Sequence, residues 1–177
     1  MPPVISAVLL TWRRPENVRH IVTQLAALEF IGEILVWRND PSVPLQLDSP
    51  KARILDSPEN LICLGRFVAA AQATFPIVYV QDDDVLVHDV PELLRQFLAD
   101  PARIHFNLSG WHYPLRDRYY YGDCHCALLG WGAIFRRDSL AVLDALPAAT
   151  RASPLFRREA DQYFSLLQRR HHAPRLG

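Results

Sequence analysis

The sequence has few cysteines and no long apolar run, and each shortage excludes a class of protein. The three cysteines, Cys63, Cys124 and Cys126, form no CxxC pair. This argues against a disulfide framework and against a structural zinc site, so we expect reduced thiols. No stretch approaches the ~18 apolar residues of a membrane span, and no signal peptide is visible. These absences favour a soluble, cytoplasmic protein.

An excess of one charge is also lacking. Lysine plus arginine and aspartate plus glutamate number 19 each, so the formal net charge is zero. Proteins that bind nucleic acid are usually basic, so we expect no nucleic-acid partner. Lys51 is the only lysine, and arginine suits bidentate phosphate contacts. The length of 177 residues predicts a single domain over residues 1–177.

Apolar runs alternate with helical patterns through the first half of the chain. Residues 4–10, 33–37, 52–55 and 77–80 are short and apolar, as buried strands are. A helix with Pro15 in its first turn separates the first two strands. This order predicts a right-handed β-α-β unit with parallel strands, and hence an α/β fold.

The second half of the chain is less regular. Residues 103–108 are predicted to form a strand, and residues 127–135 a further strand. In the latter, Gly130 and Gly132 indicate a close approach of the backbone. We expect a loop over residues 147–154 and a last helix after it.

Three consecutive carboxylates, Asp82, Asp83 and Asp84, follow the strand predicted at residues 77–80. Clustered like charges are unfavourable, so the triplet favours a compensating cation. Extended backbone would place Asp82 and Asp84 on one face and Asp83 on the other. Two carboxylates suit Mg²⁺ or Mn²⁺ shared with a phosphate. The alternative is an acidic turn after a strand.

Polar side chains follow three of the predicted strands. Thr11, Asn39 and Asp82 each come just after a strand. Open α/β sheets bind ligands at the carboxyl ends of their strands. We therefore expect these side chains to share one site, on grounds that are independent of the metal.

Five short segments, spread over most of the chain, resemble the motifs of one enzyme family and occur in the same order. They are Ala7–Asn17, Ile34–Asn39, Val80–Asp84, Leu128–Ala133 and Glu159–Asp161. The first resembles the TYxRxxN start of exostosin-type glycosyltransferases, and the third is similar to their DxD motif. The resemblance implies a GT-A fold, which is a Rossmann-like, three-layer α/β sandwich with a mostly parallel central sheet.

The resemblance also implies a metal site on the acidic triplet. Asp84 would bind Mn²⁺ or Mg²⁺ directly, Asp82 would hold the metal, the ribose or both, and Asp83 would be structural. His171 or His172 would supply a third ligand, and the alternative for both is a disordered tail. The ion would bridge the diphosphate of a nucleotide sugar and neutralise the leaving nucleoside diphosphate.

Nucleotide contacts are implied for five residues. Thr11 and Arg14 would contact the nucleotide, Arg14 through a phosphate, and Asn39 would reach the base or ribose. Asn60 and Arg66 resemble the asparagine and arginine that precede the DxD strand in the family. The alternatives are a solvated surface arginine for Arg14 and a turn residue for Asn39.

Asp161 is the catalytic carboxylate that the resemblance implies, with Glu159 as a weaker second candidate. In an inverting enzyme Asp161 would deprotonate the acceptor hydroxyl, and in a retaining enzyme it would stabilise positive charge on the sugar. The alternative is a solvated helix acid. Trp111, His112 and Tyr113 could stack on a sugar, although core packing is the commoner role of such side chains.

The implied activity is metal-dependent transfer of a sugar from a nucleoside diphosphate donor, with UDP as the expected nucleotide. The acceptor would be a hydroxyl on a glycan, a lipid-linked molecule or a protein. A sugar nucleotidyltransferase and a catalytically inactive GT-A domain are the alternatives. The loop at residues 11–15 argues against the former because it lacks glycine. Arg169, Arg170 and Arg175 are candidates for the family's late phosphate-binding basic residue.

Overall fold

Eight strands and six α-helices lie in the residues that the computed structural model describes, which are 3–107, 122–123, 127–168 and 171–173. The strands are β1 (Ile5–Thr11), β2 (Ile31–Arg38), β3 (Ala52–Asp56), β4 (Ile77–Asp82), β5 (Ile104–Phe106), β6 (Gly122–Asp123), β7 (Ala133–Arg136) and β8 (His171–Ala173). The helices are α1 (Pro15–Ala26), α2 (Leu64–Ala71), α3 (Val90–Ala99), α4 (Ala141–Asp144), α5 (Ala148–Arg151) and α6 (Pro154–Gln168). None of the helices in these ranges combines the length and the apolar character that crossing a bilayer requires.

The strands belong to one sheet in the order β3-β2-β1-β4-β7-β5-β8-β6. The four strands from β3 to β4 are parallel, whereas β7 pairs antiparallel with both β4 and β5. The register places Leu10 of β1 beside Asp82 of β4, and Thr11 beside Arg38 of β2. The carboxyl ends of β1, β2 and β4 therefore lie side by side at one edge of the sheet.

Alternate side chains of the central strands point to opposite faces, and helices cover both faces. On one face, Val8, Val78 and Val80 share a buried cluster with Phe67 of α2 and Phe164 of α6. On the other face, a second cluster joins the sheet to α1 and α3 through Leu9, Ile34, Tyr79, Val22 and Phe97. The result is the three-layer α/β sandwich with a mostly parallel sheet that the sequence predicts.

Two segments differ from the prediction. The loop expected over residues 147–154 contains α5, which starts directly after Pro147. The single strand expected over residues 127–135 is divided, because Leu129–Trp131 forms a 3₁₀ helix before β7 begins. Gly132 makes this change of direction with φ of 100°, a conformation that residues with a side chain rarely adopt.

The acidic triplet also departs from expectation. Strand β4 ends at Asp82, and Asp83 and Asp84 form a turn. The expected alternation of the three side chains is therefore wrong, because it requires extended backbone throughout. Asp82 keeps the alternation of the strand and lies on the face of Val80, toward α2.

Candidate functional site

A pocket opens at the edge of the sheet where β1, β2 and β4 end, and its volume is about 180 Å³. Its walls come from these strand ends and from the loop before α2. The lining residues are Leu10, Thr11, Trp12, Arg14, Asn39, Asn60, Ile62, Cys63, Asp82, Asp83 and Asp84. Six of them are residues that the sequence predicts for nucleotide or metal binding.

Asp83 connects the turn after β4 to the loop after β1. Its carboxylate accepts hydrogen bonds from the Thr11 hydroxyl at 2.7 Å, the Trp12 backbone N–H at 3.3 Å and Nη1 of Arg14 at 2.9 Å. Nδ2 of Asn17 in α1 donates to the Asp83 carbonyl at 2.8 Å. The side chain of Asp83 is 7% exposed, so these contacts within the protein account for its oxygens.

Arg14 binds two neighbouring carboxylates through one nitrogen. Its Nη1 lies 2.9 Å from Oδ1 of Asp83 and 3.0 Å from Oδ2 of Asp84. The hydrogen bond to Asp83, together with the attraction of both acids, raises the pKa of the guanidinium above its ordinary value. The side chains of Arg14 and Asp84 are each about half exposed. Both groups can therefore be reached from the pocket.

A buried arginine joins Asp82 to Asp161 beneath the pocket. Nη2 of Arg66, in the first turn of α2, donates to Oδ1 of Asp82 at 2.5 Å, and its Nη1 donates to Oδ2 of Asp161. Asp161 lies on α6, two residues after Glu159, whose φ of −107° and ψ of 21° interrupt the helix. A Cβ at Gly130 would collide with Oδ2 of Asp82. Three elements thus meet at one guanidinium.

This geometry changes the role expected for Arg66. The sequence predicts a contact with the nucleotide, but the side chain is 1% exposed and both terminal nitrogens bind carboxylates. Any influence of Arg66 on a ligand in the pocket must therefore pass through Asp82.

Burial raises the pKa of both carboxylates that Arg66 binds. For Asp161, burial outweighs the attraction of Arg66, and the pKa rises to about 6. The pKa of Asp82 is also raised, again by burial and against the attraction of Arg66. Within the described part of the chain, Oδ1 of Asp161 is buried without a hydrogen-bond partner. A carboxylate with this pKa and one unused oxygen is suited to accept a proton near neutral pH.

Asn39 shapes the pocket wall with its side-chain amide. Its Oδ1 accepts hydrogen bonds from Nε1 of Trp37 at 3.1 Å and from the backbone N–H of Leu61 at 2.9 Å. Its Nδ2 donates to the carbonyl of Ile62 at 3.2 Å, and Oδ1 of Asn60 accepts from the Ile62 N–H at 2.8 Å. Ile62 has φ of 52°, which is an outlier for a β-branched residue. The two asparagines therefore hold the loop that carries Ile62.

The fold brings together eight of the nine predicted site residues. Six line the pocket, and Arg66 and Asp161 are linked to it through Asp82. His171 is in β8, which β7 and β5 separate from β4 in the sheet, and its metal contact stays a prediction. Predictions on Trp111, His112, Tyr113, Cys124, Cys126, Arg169, Arg170 and Arg175 concern residues outside the described ranges.

Several residues of the pocket were not predicted from the sequence. Trp12 is half exposed, and the Arg13 guanidinium lies 4.5 Å from the centre of its ring. No sequence motif indicates Ile62 or Cys63 as pocket residues. Burial raises the pKa of the Cys63 thiol to about 11, so this thiol is protonated at neutral pH. Gly130 carried a signal, because a glycine in a predicted strand indicates a close approach, but its neighbour Asp82 could not be identified.

Negative charge exceeds positive charge at this site. The four carboxylates contact two guanidinium groups, those of Arg14 and Arg66, which leaves two negative charges in excess when all are ionised. Among the residues described, no three His, Cys, Asp or Glu side chains are grouped to hold a metal by themselves. Asp82 and Asp84 both line the pocket, and their carboxylate oxygens are the kind of donor that Mg²⁺ takes alongside phosphate and water, so their binding of a metal stays a prediction.

Solved structures with little sequence identity share the fold. The mannosyltransferase PcManGT from Pyrobaculum calidifontis, in complex with GDP-Man and Mn²⁺, matches with a TM-score of 0.64 and 16% identity over 98% of this chain and 55% of its own. CMP:2-keto-3-deoxy-manno-octonic acid synthetase complexed with CTP matches with a TM-score of 0.62 and 15% identity over 97% of this chain and 90% of its own. A putative glucose-1-phosphate thymidylyltransferase from Bacillus anthracis matches with a TM-score of 0.63 and 7% identity over 98% of this chain and 87% of its own.

These likenesses establish the fold and not the activity. The described sheet and its flanking helices have the GT-A, Rossmann-like architecture that the sequence predicts, and this prediction is confirmed. The chain spans only about 55% of the length of the mannosyltransferase. No protein-family model and no curated protein matches the sequence.

Proposed function

We propose that this protein is a metal-dependent glycosyltransferase, which moves a sugar from a nucleoside diphosphate sugar to a hydroxyl acceptor. The observation that carries this proposal is the acidic triplet in the pocket at the ends of β1, β2 and β4. Its first member, Asp82, is joined through Arg66 to a second carboxylate, Asp161, one oxygen of which has no hydrogen-bond partner among the described residues. The site thus offers the carboxylates of the triplet to bind a metal with its diphosphate, and a separate carboxylate to act as a general base.

The donor would be bound by the residues that line the pocket. Asp82 and Asp84 would hold Mn²⁺ or Mg²⁺, and the chemistry such an ion supplies is neutralisation of the leaving diphosphate. Arg14 is exposed enough to bind a phosphate oxygen in place of Asp84. Asn60 lines the pocket at an exposed position, where it can meet the nucleoside. Thr11 and Asn39 are buried and support the loops around the nucleotide.

The acceptor would be activated by Asp161. Its Oδ2 is held by Arg66. Its Oδ1, which is buried and has no hydrogen-bond partner among the described residues, would take the proton from an acceptor hydroxyl once the side chains that cover it move aside. The oxygen of that hydroxyl would form a bond to the anomeric carbon as the bond to the diphosphate breaks. In a retaining enzyme, the same carboxylate would instead stabilise positive charge on the sugar.

The identity of the nucleotide is part of the proposal. The ordered exostosin-type segments favour UDP. The mannosyltransferase that shares the fold was solved with GDP-Man and Mn²⁺, so GDP is the second nucleotide to test. The acceptor would be a hydroxyl of a glycan, a lipid-linked molecule or a protein.

A sugar nucleotidyltransferase is the second candidate. It is favoured by the two nucleotidyl-transferring neighbours, because this chain spans 90% and 87% of their lengths. It is disfavoured by the loop after β1, which lacks glycine. The products distinguish the two, since a glycosyltransferase releases a nucleoside diphosphate and a nucleotidyltransferase releases pyrophosphate.

Isothermal titration calorimetry with UDP and GDP, each with and without MnCl₂, tests the proposal. We expect Mn²⁺ to tighten the binding of one of them at least about tenfold. Asp84→Asn should remove the metal-dependent part of binding. Asp161→Asn should keep metal-dependent binding, with a dissociation constant changed by only about a few fold, and should lose transfer. Asp138→Asn, in an exposed acid that pairs with Arg136, is the matched control. Absence of metal-dependent binding of any nucleoside diphosphate would overturn the proposal.

A further inference from the structure

Arg66 occupies an unusual position for a charged side chain. It is among the largest fully buried side chains described, and it comes from α2, whereas its partners come from β4 and α6. Its two terminal nitrogens each bind a different carboxylate. Because a guanidinium is planar and rigid, the two acids are held at a set separation and in a set orientation.

Asp82 is restrained on both sides of its carboxylate. Its Oδ1 accepts the hydrogen bond from Arg66, and its Oδ2 lies against Gly130, at a point where a Cβ would collide with it. A Cβ added at Gly130 would also lie 3.2 Å from Nη2 of Arg66. Rotation of the Asp82 side chain therefore requires the loss of the ion pair.

Asp161 is held at one oxygen only. Arg66 binds Oδ2, while Oδ1 is buried and, within the described residues, has no hydrogen-bond partner. Glu159, the other acid nearby in sequence, pairs with Arg158 and so does not compete for the guanidinium. One oxygen of Asp161 is thereby oriented by Arg66, and the other is buried without a hydrogen-bond partner in the described part of the chain.

We infer that Arg66 is a positioning residue, which fixes the donor-side carboxylate Asp82 relative to the acceptor-side carboxylate Asp161. The terms donor-side and acceptor-side rest on the proposed function, whereas the bridge rests on the structure alone. A change at Asp161 will therefore alter binding in the pocket, which Asp161 does not line. That influence will disappear when Arg66 is replaced.

Calorimetry of UDP with MnCl₂ on four proteins tests this coupling: wild type, Asp161→Asn, Arg66→Met and the double variant. We expect Asp161→Asn to change the dissociation constant about threefold or more in the wild-type background and less than 1.5-fold in the Arg66→Met background. Arg66→Lys keeps the charge but cannot span both acids, so it should not restore the coupling. Equal effects of Asp161→Asn in both backgrounds would overturn the inference.

Arg157 provides a matched control. It also links α6 to the segment before α2, through Nη1 and Nη2 to the carboxylate of Glu59, but outside the pocket. Arg157→Met should leave the effect of Asp161→Asn on the dissociation constant unchanged. If it abolished that effect as Arg66→Met does, the coupling would be a general property of α6 and the inference would fail.

A double-mutant cycle measured by urea denaturation tests the link that Arg66 makes between Asp82 and Asp161, even if UDP does not bind. Wild type that binds neither UDP nor GDP would overturn the proposed function, but the bridge would still be measurable. The urea midpoints of Asp82→Asn, Asp161→Asn and the double variant should be non-additive by roughly 0.5 M with Arg66 present. In the Arg66→Met background they should be additive. Additivity in both backgrounds would overturn the inference.

Discussion

Two arginines at this site each bind two carboxylates, and they do so in opposite surroundings. Arg66 is 1% exposed and joins acids from two different elements, whereas Arg14 is 53% exposed and joins the last two acids of the triplet. A buried pair interacts in a lower dielectric and is screened less by salt than an exposed pair. We therefore expect the side of the site toward α6 to be rigid, and the exposed pair of Arg14 and Asp84 on the side toward α1 to be open to rearrangement by a ligand.

Removal of the buried guanidinium should have the largest effect on stability. Arg66→Met leaves Asp82 and Asp161 without their counter-charge, so the free energy of unfolding should fall by about 3–5 kcal/mol. Urea denaturation measures this change. Arg157→Met, which breaks an ion pair with an exposed glutamate, should cost about 1 kcal/mol or less. Similar losses in the two variants would remove the distinction between the buried and the exposed pairs.

Stability should depend on pH through Asp161. Its folded pKa of about 6 exceeds the ordinary value of 3.8, so the native state retains a proton that the unfolded chain has released. The stability due to this group is complete below about pH 4 and is lost as the pH rises through about 6, up to about 3 kcal/mol. Thermal unfolding of wild type and Asp161→Asn between about pH 4 and pH 8 should show the variant gaining relative stability as the pH rises. Parallel curves would contradict this expectation.

The same ionisation acts in the opposite direction on catalysis. A general base must be ionised to accept a proton, so transfer by the wild type should increase as the pH rises through about 6. The measurement is the rate of nucleoside diphosphate release at saturating donor. A rate that is flat through this range would exclude Asp161 as the titrating base.

Gly130→Ala tests how tightly the rigid side is packed. The added methyl group would collide with the Asp82 carboxylate, so we expect a loss of about 1–3 kcal/mol and at least about tenfold weaker binding of Mn²⁺ with UDP. Gly32→Ala is the matched control, because its methyl group would meet Val4 and Phe75 at a distance from the pocket. The control should lose stability but keep nucleotide binding. Unchanged binding in Gly130→Ala would show that Asp82 can move freely.

Arg14→Ala should have the smallest effect on stability, about 1 kcal/mol or less, because the guanidinium is half exposed and the buried Asp83 keeps the bonds from Thr11 and Trp12. Binding of Mn²⁺ with UDP should nevertheless weaken, by an amount that decreases with added salt. Arg13→Ala, in another exposed arginine of the same loop, is the control. If the two variants bound equally well, Arg14 would have no part in phosphate binding.

The positions of the strand ends could be predicted from the sequence. Apolar runs indicated β1, β2 and β4, and the carboxyl ends of parallel strands must lie at one edge. The side chains at or just after these strand ends, Thr11, Asn39 and Asp82, therefore converge as expected. Local pattern and a general rule of α/β sheets were sufficient for this part of the site.

The partners of each charge could not be predicted in the same way. Arg66 and Asp161 are 95 residues apart in sequence, and their ion pair depends on how α2 and α6 pack on the sheet. The turn at Asp83 and Asp84 likewise depends on the bonds from Thr11 and Arg14, which no local propensity encodes. Composition and spacing identified the acids but not which arginine holds each one.

The left-handed backbone of Ile62 also affects how the pocket meets a ligand. Such a conformation costs roughly 1–2 kcal/mol for a residue with a side chain, and the amides of Asn39 and Asn60 maintain it. This unfavourable free energy is part of folding and does not have to be supplied when a ligand binds. A binding partner therefore encounters a wall that is already ordered, and less of its affinity is lost to conformational entropy.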